Sequence, residues 1–286
     1  FLNTSSGYAV TQKVVLGIGQ SEFLTEVFDG ETFDLGYTML AFTPDGSSNY
    51  YGVCRSEVAS FPVDPAGGEE LALVDDAYRL VTLADAKEIS LFGVRTNQFF
   101  LGSNGDVIYE VPSYYTNNPA LGLYTQYFHP EISTFFERLR VGAFYADLNP
   151  DAGGSVSWKQ LPDRVAVMYQ GVPEYGKTNS NNLQVELCFD GVIRMTYLAT
   201  DISSVTVGLS RGAGATNFIS SKLKDSPACY PPLLLEAPAG GTEGDPPLQG
   251  TVTLAQAGSE DVWVDLRASD PAAVSVGPVL IPAGPT

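Results

Sequence analysis

Between Val141 and Tyr197 the chain alternates short apolar runs with turn residues, a spacing that suits antiparallel strands and little else. Strand patterns fall at 155–159, 164–169 and 183–189, and Asp190-Gly191 turns the last of these tightly into 192–197. The same punctuation recurs along the chain. Further strand candidates are 9–16, 37–43, 70–73, 77–83, 88–92, 98–101 and 107–109, with Asn104-Gly105 as the turn before the last. Helix signals are scarce, and 130–140 is the best short-helix candidate. With 29 Gly and 19 Pro interrupting the chain, the prediction is an all-β antiparallel sandwich.

Near 227–247 the composition shifts to Pro, Gly and acids, as in an interdomain linker. The expected organisation is a large sandwich over 1–229, a linker over 230–247 and a short β domain over 248–286. The last domain reads as three strands, 248–255, 261–269 and 273–281, with an apolar face that includes Val252, Leu254, Val262, Val264 and Leu266. Three strands alone are marginal, so they are expected to pack on a neighbouring element, a longer chain or another subunit. The uncharged, extended segment 1–16 is the natural donor strand for a head-to-tail contact, which makes filaments when the contacts do not close into a ring. The start at Phe1 reads as a trimmed product, and the stop at Thr286 as a shortened repeat.

The 33 acids outnumber the 15 bases, for a net charge of −18. Such a surface repels phosphate backbones, which argues against nucleic-acid partners. No apolar run approaches the ~18 residues of a membrane-spanning helix, so no membrane insertion is expected. The three cysteines form no C-x-x-C pair, against a zinc or redox motif. Either Cys54 and Cys229, both in loop-like surroundings, pair and leave Cys188 over in its strand, or all three are free thiols.

Candidate chemistry is sparse. His129 is the single histidine, so any Ser-His-Asp or Cys-His arrangement would need it, and no G-x-S-x-G surrounds a serine. The expectation is a non-catalytic protein. Asp147, Asn149 and Asp151 present oxygens at alternate positions ahead of Gly153-Gly154, as calcium loops do. Ala152 at the glycine position, Pro150 and Trp158 depart from an EF-hand, and an Asx-turn is the competing reading. Calcium is therefore the one cofactor expected. The aromatics Tyr50, Tyr51, Tyr114, Tyr115, Tyr124, Tyr127 and Phe128 offer either half-buried packing or a platform for sugar rings.

The acidic-Gly loop 147–154, the strand and loop after it, the Asn-rich approach at 179–182 and Q-V-E-L-C-F-D-G at 184–191 resemble, in that order, the nidogen-type extracellular domain. L-G-S-N-G-D-V-I at 101–108 is similar to the opening of that domain, and the resemblance covers about 88–210. The run T-E-G-D, G-T-V-T-L, S-E-D-V-W-V-D-L and S-D-P-A-A-V-S-V at 242–276 resembles the Calx-β/immunoglobulin-like repeats of bacterial secreted and surface proteins. These resemblances imply a nidogen-like sandwich followed by a partial immunoglobulin-like sandwich. They also imply an extracellular or cell-surface location and a structural or adhesive role. Expected partners are other copies of the chain, other extracellular proteins and glycans. A carbohydrate-binding accessory region of a secreted hydrolase is the alternative.

Overall fold

The computed structural model describes residues 2–3, 9–10, 24–44, 50–109, 116–118, 123–125, 127–215, 217–229, 233–236, 249–254, 261–264, 266 and 276–284. The chain divides into two compact units, Gly17–Ala228 and a second made of Phe1–Leu16 with Cys229–Thr286.

The larger unit is the expected all-β sandwich. One layer has seven strands in the order Tyr51–Glu57, Thr38–Pro44, Ile193–Tyr197, Asn181–Cys188, Arg164–Val172, Ser155–Gln160 and Glu69–Leu71. The other has eight, in the order Thr116–Asn118, Leu123–Thr125, Ala77–Thr82, Gln98–Gly102, Asp106–Ile108, Leu139–Tyr145, Ser204–Arg211 and Thr25–Asp29. Register explains why the layers adhere. Val165, Leu187, Ile193, Phe42 and Val53 stand opposite one another across five adjacent strands, so period-2 alternation becomes a continuous apolar row. That face packs in a single core with Phe99, Leu101, Val107, Val141, Phe144, Val205 and Val207 of the other layer. Each fully buried side chain of this kind contributes about 1.5–3 kcal/mol.

Two buried tyrosines tie the layers together with polar contacts. The Tyr169 hydroxyl donates to the Gly102 carbonyl at 2.6 Å, and the Tyr197 hydroxyl to the Ala143 carbonyl at 2.7 Å. The strand Leu139–Tyr145 bulges between Gly142 and Tyr145, and the irregular pairing leaves the Ala143 carbonyl to accept from outside the ladder.

Glycines govern the outer face of the eight-stranded sheet. Pairing aligns Tyr78 with Gly102, Asp106 with Gly142, and Gly142 with Gly208. A Cβ on Gly102 would lie 2.2 Å from an Asp106 carboxylate oxygen, and one on Gly142 would lie 2.3 Å from the Phe135 ring. The missing side chains thus make room for a buried acid and for the helix Ile132–Phe136, which lies inside the expected 130–140 segment.

Several strands are not legible as such in the sequence. Thr25–Asp29, Tyr51–Glu57, Leu139–Tyr145 and Ser204–Arg211 all belong to the sheets. Cys54 therefore lies in a strand rather than a loop, because Tyr51–Glu57 pairs residue for residue with Thr38–Pro44. Leu139–Tyr145 is buried at every position and shows no alternation to read.

The smaller unit contains short hairpins. Leu233–Glu236, in the segment that reads as linker, pairs with Thr251–Leu254, and Val262–Val264 pairs with Val279–Ile281. The three expected strands therefore join two separate two-stranded sheets. Val264 of the expected apolar face is buried, Val252, Leu254 and Leu266 are half-buried, and Trp263 is 67% exposed. Leu2–Asn3 pairs with Ala9–Val10. The rest of the 9–16 strand candidate lies outside the described residues.

Candidate functional site

The turn 103–105 joins two neighbouring strands of the eight-stranded sheet, and its geometry rests on Gly105 at φ +73°. A Cβ on Gly105 would lie 2.2 Å from the Phe144 carbonyl oxygen, so only glycine fits that close approach. The turn holds Asn104 almost fully buried. The Asn104 amide nitrogen donates to Asp76 Oδ1 at 2.8 Å, while its oxygen accepts from the Leu148 N–H at 2.9 Å. One buried amide thus draws the loop after Leu139–Tyr145 towards the Asp75-Asp76 turn that precedes Ala77–Thr82.

From the other side, the loop is held by the segment 173–175. The Tyr175 N–H donates to the Asp147 carbonyl at 2.7 Å and the Asn149 N–H to the Pro173 carbonyl at 2.9 Å. The result is a cluster of three half-buried acids, Asp75, Asp76 and Asp147, whose carboxylate oxygens lie within 4.8 Å of one another. Burial, reinforced by the charges of Asp76, Asp75 and Glu174, pushes the Asp147 carboxyl up to about 6. Burial and the neighbouring Asp76 also raise Asp75, whose Oδ1 is buried without a hydrogen-bond partner. Convergent carboxylate oxygens are the type of ligand that hard divalent cations take.

The loop ligands expected from sequence are only partly brought together. Asp147 joins the cluster. Asn149 instead caps the 3₁₀ turn Pro150–Ala152, its Oδ1 accepting from the Asp151 N–H at 3.0 Å, which is the Asx-turn geometry. Asp151 is exposed. Asp75 and Asp76 give no sequence signal as ligands because they lie 71 or more positions before Asp147 in the chain. Asn104 reads from the sequence only as a turn residue.

A second polar centre adjoins this one. Glu174, almost buried, accepts from Lys177 Nζ at 2.8 Å, Asn179 Nδ2 at 2.6 Å and Ser203 Oγ at 2.9 Å. These residues, with Asp201, line an open groove of 320 Å³.

The remaining candidates are structural neighbours rather than a constellation. His129 Nδ1 is 3.8 Å from Glu131 Oε2 at the surface, and the ring stands edge-on to Tyr127. Cys188 is buried, and its burial raises the thiol to about 11, which suppresses the reactive thiolate. Cys54 and Cys229 are disulfide-bonded and Cys188 is free. The aromatics fall into separate packing groups: Tyr51 on Phe92, Tyr124 on Phe100, Phe128 on Tyr145, and Tyr50 beneath the Arg211 guanidinium. Tyr114 and Tyr115 lie outside the described residues. The chain matches no family model, no curated protein and no solved structure.

Proposed function

We propose that the chain is a secreted, non-catalytic structural or adhesive module of a bacterial cell-surface protein or extracellular fibre, joining other copies by strand addition. The observation that carries this reading is the Cys54–Cys229 disulfide in a strongly acidic β-sandwich. Disulfides persist in oxidising compartments and are uncommon in reducing ones. High negative charge keeps such a surface soluble and away from nucleic acid. The burial of Cys188 fits a protein whose thiol serves packing.

Calcium belongs to the same reading. The cluster of Asp75, Asp76 and Asp147 supports it as a stabilising ion that relieves like-charge repulsion in the loop. Surface labelling tests the location: an antibody to this chain should stain intact cells of the source organism as strongly as permeabilised ones. Staining that requires permeabilisation would contradict it. Glycan-array binding at micromolar concentration would favour the accessory carbohydrate-binding role instead.

A further inference from the structure

An edge strand presents a row of backbone groups that will pair with any available strand, and proteins cover such edges or disfavour pairing with charge. The seven-stranded sheet ends on one side in Glu69–Leu71, which is short and carries two exposed acids. On the other side it ends in Tyr51–Glu57, seven residues long, free of proline and charged only at Arg55 and Glu57. That longer edge is protected by other means. The Arg55 N–H donates to the Pro227 carbonyl at 2.8 Å, and Arg55 and Ala228 form a parallel bridge.

The covering strap continues along the other layer. Upstream of Pro227, the Ser221 N–H donates to the Thr25 carbonyl at 2.8 Å, and Ser220 Oγ accepts from the Val27 N–H at 3.0 Å, on the edge strand of the eight-stranded sheet. Leu223 anchors the strap in the core, and its N–H donates to Glu26 Oε2 at 2.7 Å. Beyond this anchor, the cover over Arg55 among the described residues is a bridge of a single residue pair, too short to hold by itself. Cys54 and Cys229 flank that bridge, each one residue from a bridged partner.

We infer that the Cys54–Cys229 disulfide is the lock on this strap: reduction frees its end and leaves Tyr51–Glu57 as a strand acceptor for a second copy of the chain. Reduction by a dithiol converts the disulfide to two thiols and the dithiol to its own disulfide, a balanced two-electron exchange. The backbone groups that face the strap belong to Arg55 and, by strand alternation, to Val53 and Glu57. An antiparallel pair about a two-fold axis at Ser56, in which 55–57 of the two edges overlap, sets each Arg55 opposite the partner copy's Glu57, so that contact carries its own charge complementarity. The inference rests on the proposed function only for the strand-addition mode. Surface labelling tests the location whether or not the strap opens.

The test compares amide hydrogen exchange and light scattering of the intact chain, oxidised and dithiol-reduced, at physiological salt, where Debye screening limits repulsion between acidic copies. The Arg55 amide should exchange at least tenfold faster after reduction, while the core amides of Val167 and Val185 stay protected, and dimers should appear. A Cys54→Ser/Cys229→Ser variant should match the reduced protein. Unchanged protection at Arg55 would overturn the inference. So would equal loss of protection at Val167 and Val185, which would make the disulfide a global staple, and so would an opened edge in a protein that stays monomeric.

Discussion

Asp106 and Arg140 form an ion pair, Nη1 to Oδ2 at 3.1 Å, with both side chains almost completely withdrawn from solvent on the outer face of the eight-stranded sheet. The guanidinium also lies over the Tyr145 ring at 4.7 Å and donates to the Thr134 carbonyl at 3.3 Å, so the pair fixes the helix Ile132–Phe136 to the sheet. Burial pushes the Asp106 carboxyl up to about 6 against the attraction of Arg140. Removing one partner of such a pair strands the other charge. Arg140→Met should cost about 3–5 kcal/mol in urea denaturation, and an Asp106→Leu/Arg140→Met double variant should recover much of that loss.

Acidity should affect the acid cluster in an unusual direction. Asp147 has its folded value raised from 3.8 to about 6, so its contribution to stability is fully present below 3.8 and is lost as pH rises through about 6. Asp147→Asn should therefore gain on the wild type as pH rises from 4 to 7, read as the difference in denaturation midpoint at each pH. A constant difference across that range would contradict a carboxyl raised by burial and by its acidic neighbours.

Calcium should act through the same residues. At pH 7.5, added calcium should raise the Tm of the wild type and EDTA should reverse the rise, with about 2.7 kcal/mol gained at a hundredfold excess over Kd. Asp147→Asn and Asp76→Asn should lose the response, whereas Asn149→Ala and Asp151→Ala should keep it, because those two side chains do not join the cluster.

Crowding around the glycine row predicts a graded series. Gly102→Ala and Gly142→Ala press on side chains, which can shift, and should each cost about 1–3 kcal/mol. Gly105→Ala meets the Phe144 carbonyl and requires a positive φ, so it should cost more than either. Denaturation midpoints with unchanged m-values would establish the order.

The turn residues that bound 155–159, 164–169 and 183–189 are enough to read the centre of the seven-stranded layer, even though 165–169 and 183–188 are buried at every position. Leu139–Tyr145, buried at every position, escapes because it follows the helix Ile132–Phe136 with no turn residue between them, and Tyr51–Glu57 because Gly52 and Arg55 interrupt an apolar pattern that only its pairing with Thr38–Pro44 reveals. The candidate site is half legible. Asp147 stands out by its loop, but Asp75, Asp76 and Asn104 reach it only through tertiary pairing. Local spacing carries turn chemistry well and non-local convergence hardly at all, which is also why Asn149 reads both as ligand and as cap.

The most direct test of an extracellular module locked by its own disulfide is non-reducing peptide mapping of the protein recovered, with thiols trapped at once, from the surface or medium of its source cells. A Cys54–Cys229 linked peptide with Cys188 as the alkylated thiol is the predicted result. Three alkylated cysteines, or recovery of the protein only from the reducing interior of the cell, would contradict the account.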